Sequence, residues 1–364
     1  MDQQTYREIV SGKRKDAGAS LLRFLLRLAG IFYSAAVRLR NLLYSTGVLR
    51  SRRVNAVIIC IGNITTGGTG KTPLVQWACG KLTHMLPHAT VAILTRGYKA
   101  RRQADGGGES GIDEPALLAR SCPEIPVVVN PDRVAGASEA IQRLGAEVIV
   151  MDDGFQHRRL RRDLDIVTID ATCPFGYGRL LPAGLLREPV QQLKRAHGLV
   201  LTRCDQVGND ELREIERRLK RLNPEAWIAE TEHAPAQVIY VDGKEEEPAN
   251  LRGKKVFAFC GIGNPDSFLG TIAGAGAEIV GSMVFDDHCS YTQERLDDII
   301  QRAKQCGADV ALTTSKDWTK IEKLSLPSTD VGPAYLNVEI RFLEGENALR
   351  SLIERTITDR IAGD

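Results

Sequence analysis

The sequence predicts an α/β fold in two blocks, preceded by a basic helical arm. Three observations predict it. Short apolar, β-rich runs at residues 54–61, 91–95, 127–129, 148–151, 166–169 and 199–201 alternate with helical patterns at 72–86 and 135–144, the mark of parallel strands with crossover helices. A second α/β block opens at "KKVFAFCGIGNP" and continues through "AEIVGSMVF" and "ADVALTTSKDW". Residues 1–53 hold eleven Lys or Arg against three Asp or Glu, while the 364-residue chain as a whole has a net charge of +2.

The arm, "LLRFLLRLAGIFYSAAVRLRNLLYSTGVLRSRR", is apolar with spaced arginines and has no acid between Ala17 and Arg53. At 100° per residue Arg23, Arg27 and Arg38 share one sector, and leucines and aromatics cover the remainder. Its longest uncharged run, residues 28–37, is too short for a bilayer of about 20 residues. An interfacial helix with arginines toward lipid phosphates fits the pattern. The alternative is an amphipathic helix packed on the protein's own core. Gly30 is expected to weaken a single unbroken helix.

Apolar residues make up 43% of the chain, enough for a sizeable core over about two domains. The expected divisions are an arm at 1–53, a core at 54–225, a linker at 226–253 that includes the acidic turn "DGKEEEPAN", and a smaller α/β domain at 254–364. Eight cysteines without any C-x-x-C pair suggest neither a zinc cage nor a disulfide framework. The small net charge predicts no nucleic-acid partner, and no obligate protein partner is evident. Residues 322–364 carry no legible motif.

The run "GNITTGGTGKTPL" follows the first strand directly. Gly67, Gly68 and Gly70 leave backbone N–H groups free to turn toward an anion, Lys71 adds a point charge, and Thr72 adds a hydroxyl for a magnesium ion. This is a variant phosphate-binding loop, with Thr65 where the strict pattern has glycine. The fold class thereby sharpens to a P-loop NTPase-type parallel sheet core with a second, smaller α/β domain and a basic amphipathic N-terminal helical arm.

"AEVIVMDDGFQH" runs as a strand into Asp152 and Asp153. Two adjacent acids at a strand end repel unless a cation is near, and they suit Mg²⁺. His157 follows, ahead of the basic run "RRLRRD", whose arginines are candidates for phosphate contacts. "GIDEPALLAR" places Asp113 and Glu114 before Pro115 at a helix start, and "FDDHCS" places Asp286, Asp287 and His288 at a strand end. The two elements are expected from opposite blocks, where a carboxylate and a histidine meeting across a cleft would position and deprotonate a hydroxyl.

Taken in order, "GNITTGGTGKTP", "TRGY", "DEP", "DDGFQH" with "LRRD", "LLPAGLLREP", "GIGNP", "DDH" and "TSKDW" resemble the tetraacyldisaccharide 4'-kinase (lipid A 4'-kinase) family. The resemblance runs from the arm to about residue 321. It implies transfer of the ATP γ-phosphate to the 4'-hydroxyl of a lipid-linked glucosamine disaccharide 1-phosphate, with Mg²⁺, at the cytoplasmic face of the bacterial inner membrane. It further implies a β-ribbon linker between a P-loop core and a smaller domain. Position by position, Thr65, Thr66, Gly67, Gly68, Thr69, Gly70, Lys71 and Thr72 would bind ATP. Thr72, Asp152 and Asp153 would lie at the metal. Asp113 matches the proposed base and His288 its partner, with Asp287 beside it. Arg96 and Tyr98 of "TRGY", His157, Arg187 and Glu188 are the candidates for substrate contact. Ile112 stands where the family often has glycine, and Thr95 where serine is common. The rival readings are a soluble P-loop kinase or ligase acting on a small metabolite, and a membrane-recruited nucleotide switch.

Overall fold

The computed structural model describes residues 3–97, 113–287, 289–326 and 331–362. Two helices open the chain, α1 (Gln3–Ser11) and α2 (Ala17–Ser45). Asp16 caps α2 by accepting from the Ala19 N–H at 3.0 Å. The helix then runs 29 residues, so the interruption expected at Gly30 does not occur. Gly30 is instead a close-approach point: a Cβ there would lie 3.2 Å from the Cβ of Ala183.

Ala19, Gly30, Val37 and Asn41 are the buried residues of α2, whereas Phe24, Ile31 and Phe32 are 56%, 62% and 78% exposed. The packed face is thus small and partly polar, and the outward face is apolar. That is the reverse of a helix resting its leucines on its own core. By length and composition alone α2 is apolar enough to cross a membrane, where its uncharged run by itself is too short.

The chain continues with β1 (Val57–Asn63), α3 (Lys71–Met85), β2 (Val91–Thr95), α4 (Asp113–Ser121) and β3 (Val127–Val129). Next come α5 (Arg133–Leu144), β4 (Val148–Asp152), β5 (Leu164–Asp170), β6 (Gly198–Thr202) and α6 (Asn209–Leu222). The remainder comprises β7 (Trp227–Tyr240), β8 (Glu245–Glu246), β9 (Lys255–Cys260), α7 (Pro265–Gly274), β10 (Glu278–Val284) and α8 (Gln293–Gln305). It ends with β11 (Val310–Thr314), α9 (Ser315–Ile321), β12 (Pro333–Glu344) and α10 (Glu346–Ala362).

These elements form two compact units. The first comprises Met1–Arg96, Cys122–Glu232 and Phe342–Asp364, the second Gly97–Ser121 and His233–Arg341. In the first, the strand order is β7-β6-β5-β1-β4-β2-β3, with parallel pairing throughout. Strands β1, β2, β4, β5 and β6 are buried at every residue, as a sheet covered on both faces requires. The chain passes from β4 on one side of β1 to β5 on the other. Such a reversal opens a ligand crevice at the carboxyl ends of the strands.

In the second unit β9, β10, β11 and β12 are parallel neighbours. Alternate residues of β9 feed opposite faces: Val256, Ala258 and Cys260 join one apolar cluster, Phe257 and Phe259 the other. The stretch expected as a linker holds β7 and its short antiparallel partner β8, registered Val238 to Glu246.

Two segments depart from the expected divisions. Phe342–Asp364 joins the first unit, although the sequence assigns it to the smaller domain. Leu349, Ile353 and Ile357 of α10 are buried, and a Cβ on Gly198 in β6 would meet Leu349 at 3.1 Å, so α10 covers that sheet. The second segment is α4, which joins the second unit by packing on α9. Arg120 donates to Glu322 at 2.6 Å and to the Tyr335 hydroxyl at 2.9 Å, and its guanidinium lies over the Tyr335 ring.

Gly62 tests how tightly the end of β1 is packed. A Cβ there would lie 2.6 Å from the Phe155 Cβ and 2.9 Å from its backbone nitrogen. Gly62→Ala should cost about 1–3 kcal/mol. Gly80→Ala, on the exposed side of α3 with nothing within 4 Å, should be neutral or stabilising by up to about 1 kcal/mol. Chemical denaturation midpoints of the two variants would check the contrast.

Candidate active site at the strand ends

The loop between β1 and α3 is fastened on two sides. Its far limb is held by buried hydroxyls. Asn63 Nδ2 donates to Thr69 Oγ1 at 2.9 Å, and Thr69 Oγ1 lies 2.8 Å from Thr168 Oγ1 on β5. Thr168 spends its single proton on the Gly62 carbonyl at 3.2 Å, so Thr69 is the donor between the two threonines. Thr202, at the end of β6, donates to the Thr69 carbonyl at 3.1 Å.

The near limb is held by the strap "LLPAGLLRE", residues 180–188. Thr66 N–H donates to the Leu185 carbonyl at 2.8 Å, and Arg187 N–H donates to the Ile64 carbonyl at 2.7 Å. Thr65 and Leu186 form an antiparallel bridge. Between these fastenings Gly67 and Gly70 have φ of 107° and 81°, a region that favours glycine. Gly70 caps α3 without a side chain. The first-turn N–H groups of α3 therefore point out of the loop, with Lys71 and Thr72 on that turn.

Asp152 and Asp153 leave β4 in different directions. Strand pairing sets Asp152 opposite Ile61, two residues before the end of β1. Asp152 is 2% exposed, and Thr95 Oγ1 lies 3.5 Å from its Oδ2. Its backbone carbonyl accepts from Arg133 Nη2 at 3.2 Å, and Arg133 is itself buried. Asp153 takes a φ of 50° and turns back to the loop. Its Oδ1 accepts from Arg187 Nη1 at 2.7 Å and lies 3.7 Å from Lys71 Nζ. Burial pushes the Asp153 pKa up, but the charges of Lys71 and Arg187 outweigh burial and hold it well below the usual carboxylate range. Arg187 also donates to Asn63 Oδ1 at 3.1 Å.

The expected substrate-contact residues divide into groups. Arg96 is exposed just past β2. Tyr98 lies outside the described residues. Glu188 is fully buried between Arg40 of α2 and Arg195, bonded to both, so it faces no solvent from which a lipid headgroup could reach it. Three arginines of the basic run beyond His157 are engaged by the protein itself, and Arg161 is exposed. Arg158 donates to the Asn41 carbonyl at 3.1 Å, Arg159 pairs with Asp132 at 2.9 Å, and Arg162 pairs with Asp165 at 2.9 Å.

Asp113 of "DEP" and Asp287 of "DDH", from the elements expected to supply a base and its partner, fall together within the second unit, and the expectation of opposite blocks is corrected. The cause is the packing of α4 on α9. Asp113 opens α4 by its backbone; its side chain and the whole of His288 lie outside the described residues. Asp287 accepts from Lys316 Nζ at 2.9 Å. Asp317, fully buried, accepts from Gly261 N–H at 2.9 Å and from the Thr314 hydroxyl at 2.8 Å, tying "TSKDW" to the end of β9.

Sequence reasoning missed Asn63, Thr168, Arg133 and Lys316. Each acts through a partner distant in the chain, and no local spacing signals it.

His157 is half-buried. Burial and the neighbouring Arg133 charge lower its pKa from 6.5. The unfolded chain therefore takes up this proton first, and stability falls as pH drops from the unfolded value of 6.5 toward the lower folded one. A histidine NMR titration, assigned with His157→Gln, should place the folded midpoint below 6.5. A midpoint at or above that value would reject the assignment.

Comparison with known proteins covers most of the chain. The family model described as tetraacyldisaccharide-1-P 4'-kinase matches residues 22–358. A tetraacyldisaccharide 4'-kinase of Anaeromyxobacter sp. (strain Fw109-5) is 37% identical over 360 residues, 95% of either chain. That of Syntrophus aciditrophicus is 38% identical over 91% of either chain. LpxK from Aquifex aeolicus, crystallised in complex with ATP, superposes with a TM-score of 0.67 at 29% identity, covering 92% of this chain and 99% of its own. With its phosphate loop, acidic strand end and arginine strap in one architecture, the chain belongs to the tetraacyldisaccharide-1-P 4'-kinase family.

Proposed function

We propose that this chain transfers the γ-phosphate of ATP to the 4'-hydroxyl of tetraacyldisaccharide 1-phosphate, a step of lipid A biosynthesis, at the cytoplasmic face of the bacterial inner membrane. The observation that carries the reading is the pair of cations, Lys71 and Arg187, aimed at one point beside the α3 N-terminus by Asp153. Phosphoryl transfer asks a protein chiefly for positioning and charge neutralisation. Residues Thr65 to Thr72 hold the ATP phosphates, with backbone N–H groups on their oxygens and Lys71 on the terminal ones.

The donors offered to Mg²⁺ are the Thr72 hydroxyl and the Asp152 and Asp153 carboxylates. An all-oxygen set suits this hard cation. Asp152, buried at the strand end, is the stronger candidate, because Asp153 is already shared by two cations. When bound, the ion neutralises phosphate charge. Asp113 takes the proton of the acceptor hydroxyl, with His288 as its partner and Asp287 beside it. Arg96, Tyr98 and His157 remain the residues for the acceptor headgroup.

The outward apolar face of α2 supports peripheral attachment to the bilayer. Tyr33, Arg40 and Asn41 of this helix are bonded to the protein body, which favours a helix lying in the interface over one that spans it.

Two measurements test the reading. With radiolabelled ATP, Mg²⁺ and detergent-solubilised tetraacyldisaccharide 1-phosphate, label should enter the lipid. Lys71→Ala should lower the rate about 10²–10³-fold and Asp113→Ala about 10²–10⁴-fold. Acceptor-independent ATP consumption with an unlabelled lipid would favour the switch or the soluble enzyme. In flotation assays Phe24→Glu/Phe32→Glu should release the protein from anionic vesicles. Unchanged flotation would remove the membrane role of α2.

A further inference from the structure

Glu188 is a costly residue for its surroundings. Its carboxylate is fully buried, and it binds Arg40 Nη2 through Oε1 and Arg195 Nη2 through Oε2. Taking a carboxylate out of water carries a large desolvation penalty that only good pairing offsets. An apolar contact of similar volume would hold two elements together without that cost. What a buried charged cluster adds is directional registry among the pieces it joins.

Here it joins three. Arg40 comes from α2. Glu188 ends the strap that pins the phosphate loop. Arg195 stacks at 4.0 Å over the Phe155 ring and donates to the Phe155 carbonyl at 3.3 Å, two residues beyond Asp153.

The helix grips the strap at further points. The Tyr33 hydroxyl donates to the Arg187 carbonyl at 2.9 Å. Tyr33 and Arg40 are seven residues apart, two turns on one face of α2. They therefore bracket Arg187 and Glu188 from the same side. On α1, the Tyr6 hydroxyl lies 2.9 Å from both the Pro182 and the Gly184 carbonyls. The opposite edge of the strap carries the bonds to Ile64 and Thr66, and Arg187 reaches Asp153 and Asn63. The arm, the strap and the phosphate loop thus form one bonded series.

We infer that Glu188 is a positioning residue: clamped by Arg40 and Arg195, it lets the N-terminal helix fix the strap, and through it the aim of Arg187 and the shape of the phosphate loop. The arm is then part of the nucleotide site as well as an attachment to lipid. Removing the clamp loosens the near limb of the loop while the far limb stays held by Thr168 and Thr202. The nucleotide half of this inference rests on the kinase reading; the loosening of the loop does not.

The experiment uses the full-length chain with Arg40→Ala, Arg40→Lys, Tyr33→Phe and Glu188→Gln. Arg40 is partly exposed and Tyr33→Phe removes one hydroxyl, so these variants report even where Glu188→Gln does not fold. Amide hydrogen exchange at Thr66 and Arg187, whose N–H groups make the strap bonds, should be about tenfold faster in Arg40→Ala. Exchange at Ala171, bonded to the Thr202 carbonyl, should not change. The dissociation constant of a fluorescent ATP analogue, measured without lipid substrate, should rise about tenfold. KM for the detergent-solubilised lipid and flotation with phosphatidylglycerol vesicles should stay as in the parent chain, and Arg40→Lys should recover most of the nucleotide affinity.

Unchanged exchange at Thr66 and Arg187 in Arg40→Ala overturns the clamp. Faster exchange with unaltered nucleotide affinity overturns its link to the site. Lost flotation with unaltered nucleotide affinity reduces the arm to a membrane attachment. Failure of the parent chain to label lipid, with the exchange result intact, counts against the kinase reading and leaves the clamp standing.

Discussion

The ion cluster of Asp153 with Lys71 and Arg187 is the constraint around which the rest of the first unit is arranged. A lysine at a helix start and an arginine on a distant strap repel each other. They stay at one point because a carboxylate lies 2.7 Å from the arginine and 3.7 Å from the lysine. Asp153 reaches that place only by taking a φ of 50°, an unfavourable conformation for a residue with a Cβ. The backbone bond from Asp153 N–H to the Ile61 carbonyl at 2.9 Å helps to fix the turn. A residue at positive φ and a half-buried carboxylate thus stand where they hold two cations at one point. On the proposed reading, a phosphate entering there would meet charges already in position, which lowers the reorganisation required.

The same logic explains the arm. An isolated amphipathic helix on a membrane needs no bond to an active site. Yet α2 is packed by its smallest residues, with Gly30 against Ala183, and by polar contacts: Tyr33 donates to the Arg187 carbonyl, Arg40 pairs with the Glu188 carboxylate, and the Asn41 carbonyl accepts from Arg158. Its large apolar residues point away from the protein. The division suits the proposed attachment to lipid: one face of the helix is apolar and outward, and the other is bonded to the strap that holds the phosphate loop.

Much of the first unit was legible in the sequence because its signals are local. The expected strands at 91–95 and 127–129 match β2 and β3 residue for residue, and the others differ only at their ends. The phosphate loop was legible because glycines at positive φ and a following lysine must be adjacent in the chain. What was hidden is tertiary. Leu349, Ile353 and Ile357 mark a helix face but name no sheet for it to cover. "DEP" is flanked by strands of the first unit, yet Arg120, seven residues on, bonds to Glu322 and Tyr335 and carries α4 to the second. Glu188 reads as a candidate for substrate contact, and nothing local to it marks it as buried. Its complete burial depends on Arg40 and Arg195, and no spacing rule pairs positions 148 residues apart.

The contrast between Asp152 and Asp153 shows how one dipeptide serves two purposes. Within a strand, consecutive side chains point to opposite faces. Asp152 is the last strand residue and is enclosed near Thr95, with Arg133 on its own carbonyl. Asp153 has left the strand, and its positive φ swings it toward Lys71. Had both stayed in regular β conformation, they would have faced opposite sides of the sheet. The turn separates them, so Asp153 meets Lys71 and Arg187 while Asp152 stays enclosed at the strand end. Exchanging the two roles would require moving the turn by one residue. Gly154 makes that shift tight, because a Cβ at that position would lie 2.3 Å from Met151 Cε and the Met151 side chain would have to move. The order Asp-Asp-Gly after an apolar strand thus gives the two carboxylates different surroundings, and glycine fits closely against Met151.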